Sequence, residues 1–147
     1  MKHILTITMN PAIDLSLHVD RIGPNKKLRG ASPRYDPGGG GINVSRVINK
    51  LGGESRALYT CGGPFGDILA GLLEKRGLDC EAVETEGWTR ENMTAYEDDS
   101  GDQYRFGMPG PALTEDEWQQ ALEAVRNRQP APDYIVCSGS LPPGVPD

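Results

Sequence analysis

The chain is 147 residues long, 37% hydrophobic and 24% charged, which suits one folded domain of ordinary size rather than a disordered segment. Its net charge of -6 argues against a general nucleic-acid or membrane-binding surface. Nineteen glycines and twelve prolines are more than a helical bundle carries, so many turns are expected.

The opening run, Met1 to Asn10, is too short for a signal peptide or a membrane span. Lys2 to Met9 instead reads as a buried first strand, ended by Asn10-Pro11. Asp14 to Asp20 alternates with period two, as a strand wet on one face does, and Lys27 to Tyr35 predicts a second such strand. After Pro37 and the glycines that follow it, Ile42, Val44, Val47, Ile48 and Leu51 recur at helical spacing, and Gly52-Gly53 ends that helix. Ser55 to Cys61 predicts a strand, Phe65 to Arg76 a helix stopped by Gly77, and the residues around Asp79 to Val83 another strand. Asn92 to Phe106 predicts a hairpin that turns through residues 98–102. Thr114 with Glu117 three residues on forms a capping box, opening a helix to about Arg128. Asp133 to Cys137 is then a strand entering Ser138-Gly139-Ser140-Leu141-Pro142-Pro143-Gly144. Cys61, Cys80 and Cys137 show neither CxxC pairing nor metal-ligand spacing, and the only histidines are His3 and His18. No metal site is expected, and the thiols are expected to be reduced, mostly buried and in a cytoplasmic protein.

Strands alternating with helices predict an α/β fold, a mostly parallel sheet flanked by helices. Segments of about 14–36 and 92–107 do not fit that layer and are expected to form a small β-lid projecting from it. Asp147 stands where a helix N-cap is expected. A parallel sheet is expected to have its edge and crossover helix completed, so the sequence reads as cut.

Four consecutive glycines before a helix let the backbone approach a ligand closely beside the free N–H groups of a helix N-terminus, although poly-glycine alone also fits a flexible loop. The run lacks the Lys-Ser/Thr of a Walker A loop and the third glycine of a GxGxxG fingerprint, so a dinucleotide-binding domain is not expected. In context, Gly38-Gly39-Gly40-Gly41-Ile42-Asn43-Val44-Ser45, followed by Gly52 and Gly62, resembles the first signature of the PfkB-type (ribokinase-like) carbohydrate kinases. Asn10-Pro11-Ala12-Ile13-Asp14, Trp88-Thr89-Arg90-Glu91-Asn92, Gln103-Tyr104-Arg105-Phe106 with Met108-Pro109-Gly110, and Ser138-Gly139-Ser140-Leu141-Pro142 follow the same family in order. The resemblance spans the whole chain and covers the N-terminal half of such a kinase. Within the family, the four-glycine form and the Tyr-Arg-Phe segment look most like the ATP-dependent 6-phosphofructokinases. The 1-phosphofructokinases and tagatose-6-phosphate kinases, which usually carry a lysine in the glycine run, are the alternative.

The resemblance implies a role for each motif residue. Asp14 accepts hydrogen bonds from sugar hydroxyls. Gly39 and Asn43 contact the sugar through a backbone N–H and a side-chain amide, with Gly40 beside them in the turn. Arg90 grips the sugar's phosphate, as a planar guanidinium suits an anion that accepts paired hydrogen bonds. A phosphate-contacting serine is either Ser138 or Ser140; Ser138 is favoured because it opens the turn, and Gly139 between them offers only its backbone. Lys27 and Arg29, on the expected lid strand, either reach a partner subunit's site or are simply solvated. The activity implied is transfer of the ATP γ-phosphoryl group to a phosphorylated ketohexose, with Mg²⁺, by a homodimer joined through its lid. In this family a base aspartate sits in a Gly-Ala-Gly-Asp motif; that motif does not occur in the sequence, so no catalytic residue is assigned and the chain alone is expected to be inactive. A non-catalytic sugar-phosphate-binding module is the competing reading.

Overall fold

The computed structural model describes residues 2–146, so the N-cap expected at Asp147 lies outside the described residues. In chain order, the first half runs β1 (Ile4–Thr8), β2 (Ala12–Val19), β3 (Ala31–Gly38), α1 (Gly40–Lys50), β4 (Arg56–Cys61) and α2 (Gly63–Glu74). The second half runs β5 (Asp79–Glu84), β6 (Arg90–Glu97), β7 (Gln103–Phe106), α3 (Glu115–Arg126) and β8 (Tyr134–Cys137).

The apolar opening run becomes a central strand. One sheet has the order β5-β4-β1-β8, and each of its neighbouring pairs is parallel. Because side chains alternate along a strand, β4 sends Tyr59 to one face and Leu58 to the other. Tyr59 meets Ile13, Ile42, Leu69 and Leu73, the core under α1 and α2. Leu58 joins Leu5, Val83 and Ala121, the core under α3. Helices therefore cover both faces, as parallel strands require. Full burial of Leu69 and Leu73 stabilises the α2 packing by roughly 1.5–3 kcal/mol each. Thr6 on β1 and Ser45 on α1 add a buried hydroxyl pair at 2.8 Å.

Helix ends follow local chemistry. Thr114 accepts the Glu117 N–H at 3.3 Å, and the Glu117 carboxylate accepts the Thr114 N–H at 2.7 Å, which is the expected capping box. α2 starts with Pro64 in its first turn, where a missing N–H costs nothing.

The second sheet has the order β3-β2-β6-β7 and stands off the first. β2 pairs antiparallel with β3, β6 antiparallel with β7, and the two hairpin-like units meet through a parallel β2–β6 seam. The strand expected over Lys27 to Tyr35 is shifted: it begins at Ala31 and runs to Gly38. Its start is set by an irregular register opposite Ser16 and His18, with Ser32 at a positive φ of 50°. Lys27 and Arg29 consequently lie in the exposed connection before the strand rather than on it.

The cysteines are less buried than expected. Cys61 and Cys80 are half-buried, and Cys137, on the last of the described strands, is exposed. Burial still pushes the Cys80 thiol up to about 11 and raises Cys61 as well, which keeps both as unreactive thiols. No helix among the described residues is long and apolar enough to cross a membrane.

Candidate functional site

The carboxyl ends of β1 and β8, the N-terminus of α1 and the root of the second sheet converge at one place. Gly39 has a φ of 132°, which a side chain would strain. A Cβ at position 40 would lie 2.6 Å from the Ser138 carbonyl carbon and 2.7 Å from the Gly139 nitrogen. The glycine turn and the Ser138–Gly139 turn are thus packed backbone on backbone. Gly41 N–H donates to the Ser138 carbonyl at 3.1 Å, and Ile42 N–H donates to the Thr8 hydroxyl at 3.0 Å. These two helix N-terminal donors are therefore occupied within the chain, and Gly39 and Gly40 are left half-buried at the open side of the turn.

Asp14 lies on β2 directly opposite Asn92 on β6. Asn92 Nδ2 donates to Asp14 Oδ1 at 3.0 Å, while Asn92 Oδ1 accepts the Met108 N–H at 3.1 Å. Asp14 also abuts Gly38, where a Cβ would stand 2.7 Å from the carboxyl carbon. A groove of about 540 Å³ opens over this lid face, lined by Asp14, Arg34, Asp36, Arg46, Asn92 and Arg105 among others. Within it Asp36 pairs with Arg34 at 2.7 Å and with Arg76 from the end of α2.

Asn43, exposed in the first turn of α1, accepts from Arg46 Nη1 at 3.0 Å. That contact holds its carbonyl oxygen toward Arg46 and leaves the amide N–H groups free. Arg90 is half-buried, and its two amino groups donate to the backbone carbonyls of Met108 at 2.8 Å and Asn10 at 2.9 Å. Its Nε is buried without a protein partner. Ser140 accepts from Asn10 Nδ2 at 3.1 Å, whereas the Ser138 hydroxyl has no hydrogen-bond partner among the described residues. The structure thus groups Asp14, Gly39, Gly40, Asn43, Arg90, Ser138 and Gly139 around the ends of β1 and β8. Lys27 and Arg29 are set apart from them, exposed in the β2–β3 connection.

Asn10, Arg46 and Asn92 were missed as site residues by sequence reasoning. Asn10 and Asn92 stood inside the motifs quoted, but nothing local shows what their amides bond. For Mg²⁺, the donor set does not fit: no group of three or more His, Cys, Asp or Glu comes together among the described residues. Asp36, the second carboxylate in the groove, is neutralised by two arginines. The chain's own side chains are therefore given no part in holding the metal of a Mg-nucleotide.

A doubly covered parallel sheet, a smaller sheet beside it and a glycine turn seated on a serine-glycine turn define a ribokinase-like α/β architecture. The chain belongs to the pfkB family of carbohydrate kinases, whose model matches residues 4–147. It is 46% identical over 142 residues to the ATP-dependent 6-phosphofructokinase isozyme 2 of Mycobacterium tuberculosis, covering 97% of this chain and 42% of that one. It is 44% identical over 145 residues to the enzyme of the same name from Escherichia coli, covering 99% of this chain and 47% of the relative. The solved structure of phosphofructokinase-2 from Escherichia coli in complex with fructose-6-phosphate superposes with a TM-score of 0.92 at 44% identity, over 99% of this chain and 48% of that one. The chain spans less than half the length of these relatives.

Proposed function

We propose that this chain supplies the sugar-phosphate side of a kinase that moves the ATP γ-phosphoryl group onto fructose 6-phosphate, giving fructose 1,6-bisphosphate. The observation that carries the reading is the seating of Gly40 on Ser138–Gly139 next to a braced Asp14. It brings a carboxylate acceptor, an amide donor and a free hydroxyl to one end of the sheet. Asp14 takes the sugar hydroxyls, Asn43 donates to them through Nδ2, and Gly39 and Gly40 let the sugar approach the backbone. Ser138 and Gly139 meet the phosphate from one side and Arg90 from the other. Ser138 is preferred over Ser140 because it opens the turn on which Gly40 is seated; Ser140 only accepts from Asn10, so its O–H stays free to donate. Holding the sugar in one pose is this chain's share of the catalysis; bound Mg-ATP supplies the electrophilic phosphoryl group. The absence of a lysine in the glycine run favours the 6-phosphofructokinase over the 1-phosphofructokinase and tagatose-6-phosphate alternatives.

The lid reading carries a partner. Tyr35, Tyr104 and Phe106 leave large exposed surfaces on the second sheet, at 48%, 39% and 47%. A second copy packing lid on lid covers such a surface and lets exposed Lys27 and Arg29 reach across to the partner's site. A cytoplasmic setting suits the free thiols. The test is ADP release by the intact protein with Mg-ATP and each of fructose 6-phosphate, fructose 1-phosphate and tagatose 6-phosphate. Highest kcat/KM with fructose 6-phosphate supports the proposal; preference for either of the others, or no turnover with any, contradicts it.

A further inference from the structure

We propose that Asn92, together with the backbone of Met108, is a positioning residue that sets the Asp14 carboxylate and couples it to Arg90; this rests on the sugar-phosphate reading above. The neighbours of Asn92 fix the orientation of its amide. The Met108 N–H can only donate, so the Asn92 oxygen must face it at 3.1 Å. An ionised carboxylate can only accept, so the Asn92 NH₂ must face Asp14 Oδ1 at 3.0 Å. Asp14 packs against Gly38, where a Cβ would run into Oδ2, so a glycine there leaves the carboxylate room. The Asn92 bond orients the carboxylate through Oδ1, and Oδ2 has no hydrogen-bond partner among the described residues.

Met108 is held on its other side as well. Its carbonyl, in the Met108–Pro109 peptide, accepts from Arg90 Nη1 at 2.8 Å. Through the two peptide groups that flank its Cα, Met108 joins the residue assigned to the phosphate with the residue assigned to the sugar hydroxyls. Asparagine is a poor strand former, so its place at the third paired position of the β2–β6 seam is better explained by this bridge than by the sheet. Displacement of Met108 shifts both ends of the site together.

The test is calorimetric titration of fructose 6-phosphate into the intact protein and its Asn92→Ala and Asn92→Asp variants, from about pH 5.5 to 8.5, with a thermal melt of each. Asn92→Ala removes the donor and is expected to weaken binding by about three- to tenfold at every pH. Asn92→Asp sets two carboxylates face to face. They share one proton at low pH, when the bridge to Asp14 is restored, and repel when both ionise. Its affinity is expected to trail the unsubstituted protein by about tenfold or more at pH 8.5 and to converge on it toward pH 5.5. The other charged groups that face Asp14 in the groove are Arg34 and Asp36 from β3, Arg46 from α1 and Arg105 from β7. Their direct effect on the ligand is common to both proteins, while in the variant the arginines also shift the protonation of the new pair toward lower pH.

Variants that bind as tightly as the unsubstituted protein at all pH overturn the positioning role while leaving the sugar-phosphate reading intact. So does an Asn92→Asp deficit that does not change with pH, because a purely structural defect has no reason to titrate. If the unsubstituted protein does not bind fructose 6-phosphate, the sugar-phosphate reading fails and takes this inference with it.

Discussion

Arg90, the first residue of β6, donates across 2.9 Å to the backbone carbonyl of Asn10 in the turn that leaves β1. That bond ties the root of the lid sheet to the end of the central strand. With Met108 also bonded, Arg90 has one hydrogen left on each amino group to offer a phosphate, while its Nε is buried without a partner. Arg90→Ala is expected to weaken fructose 6-phosphate binding by roughly 1.5–3 kcal/mol, the cost of a charge-assisted contact, with less effect on the KM for ATP. Arg90→Lys is expected to recover little of it, since one ammonium cannot replace a planar fork. An unchanged KM for the sugar phosphate in Arg90→Ala removes Arg90 from the phosphate site.

Gly40→Ala should abolish sugar-phosphate binding more completely than its small size suggests. The added methyl meets backbone atoms of Ser138 and Gly139, which cannot move aside as a flexible side chain can. The two turns must part, and overpacking of this kind costs about 1–3 kcal/mol. A lowered melting temperature together with lost binding is the expected result. Binding at the level of the unsubstituted protein contradicts the seated-turn geometry.

Acid stability tests the α3 cap. Burial works to raise the Glu117 carboxyl, but the hydrogen bonds it receives from the Thr114 and Glu86 backbone outweigh burial and hold it below the usual carboxylate range. A carboxyl depressed on folding stabilises the fold above its unfolded value of about 4.3 and loses that contribution as pH falls through the folded value. Urea midpoints are therefore expected to fall below about pH 4.5, and Glu117→Gln to be less stable than the unsubstituted protein at neutral pH with a flatter acid slope. Identical slopes for the two proteins contradict the assignment.

The features legible in the sequence are the local ones. Thr114 and Glu117 sit within one helical turn, so their reciprocal bonds follow from spacing alone. The central strand, the helix after the glycines and the class of the main sheet were equally readable from periodicity. The strand expected from Lys27 was misplaced because its start depends on a register irregularity against β2, a partner that no local signal names. The β2–β6 parallel seam joins residues 78 apart, as in Asp14 and Asn92, and was invisible for the same reason. Within the site, residue types were legible from their motifs and their partners were not. Arg90 reads as a free guanidinium until the 107–110 loop folds back, with Gly110 packed on the Asn10 side chain.

The lid proposal predicts a dimer. Sedimentation of the intact protein at micromolar concentration is expected to show two copies, and a Tyr104→Glu, Phe106→Ser double variant to show one. These side chains are exposed on β7, so their replacement should leave the monomer's melting temperature within a degree or two. A monomer before substitution rules out the lid interface.

The central claim is that the turn at Gly39–Gly40, Asp14 and Ser138 form a site for a phosphorylated ketohexose. Calorimetric titration of the intact protein with fructose 6-phosphate, fructose and inorganic phosphate, repeated on Asp14→Asn, tests it directly. The account predicts saturable binding of fructose 6-phosphate, far weaker binding of either half alone, and a loss of about tenfold or more when a charged acceptor for hydroxyls is removed. Equal affinity for fructose 6-phosphate and inorganic phosphate, with no effect of Asp14→Asn, would contradict it.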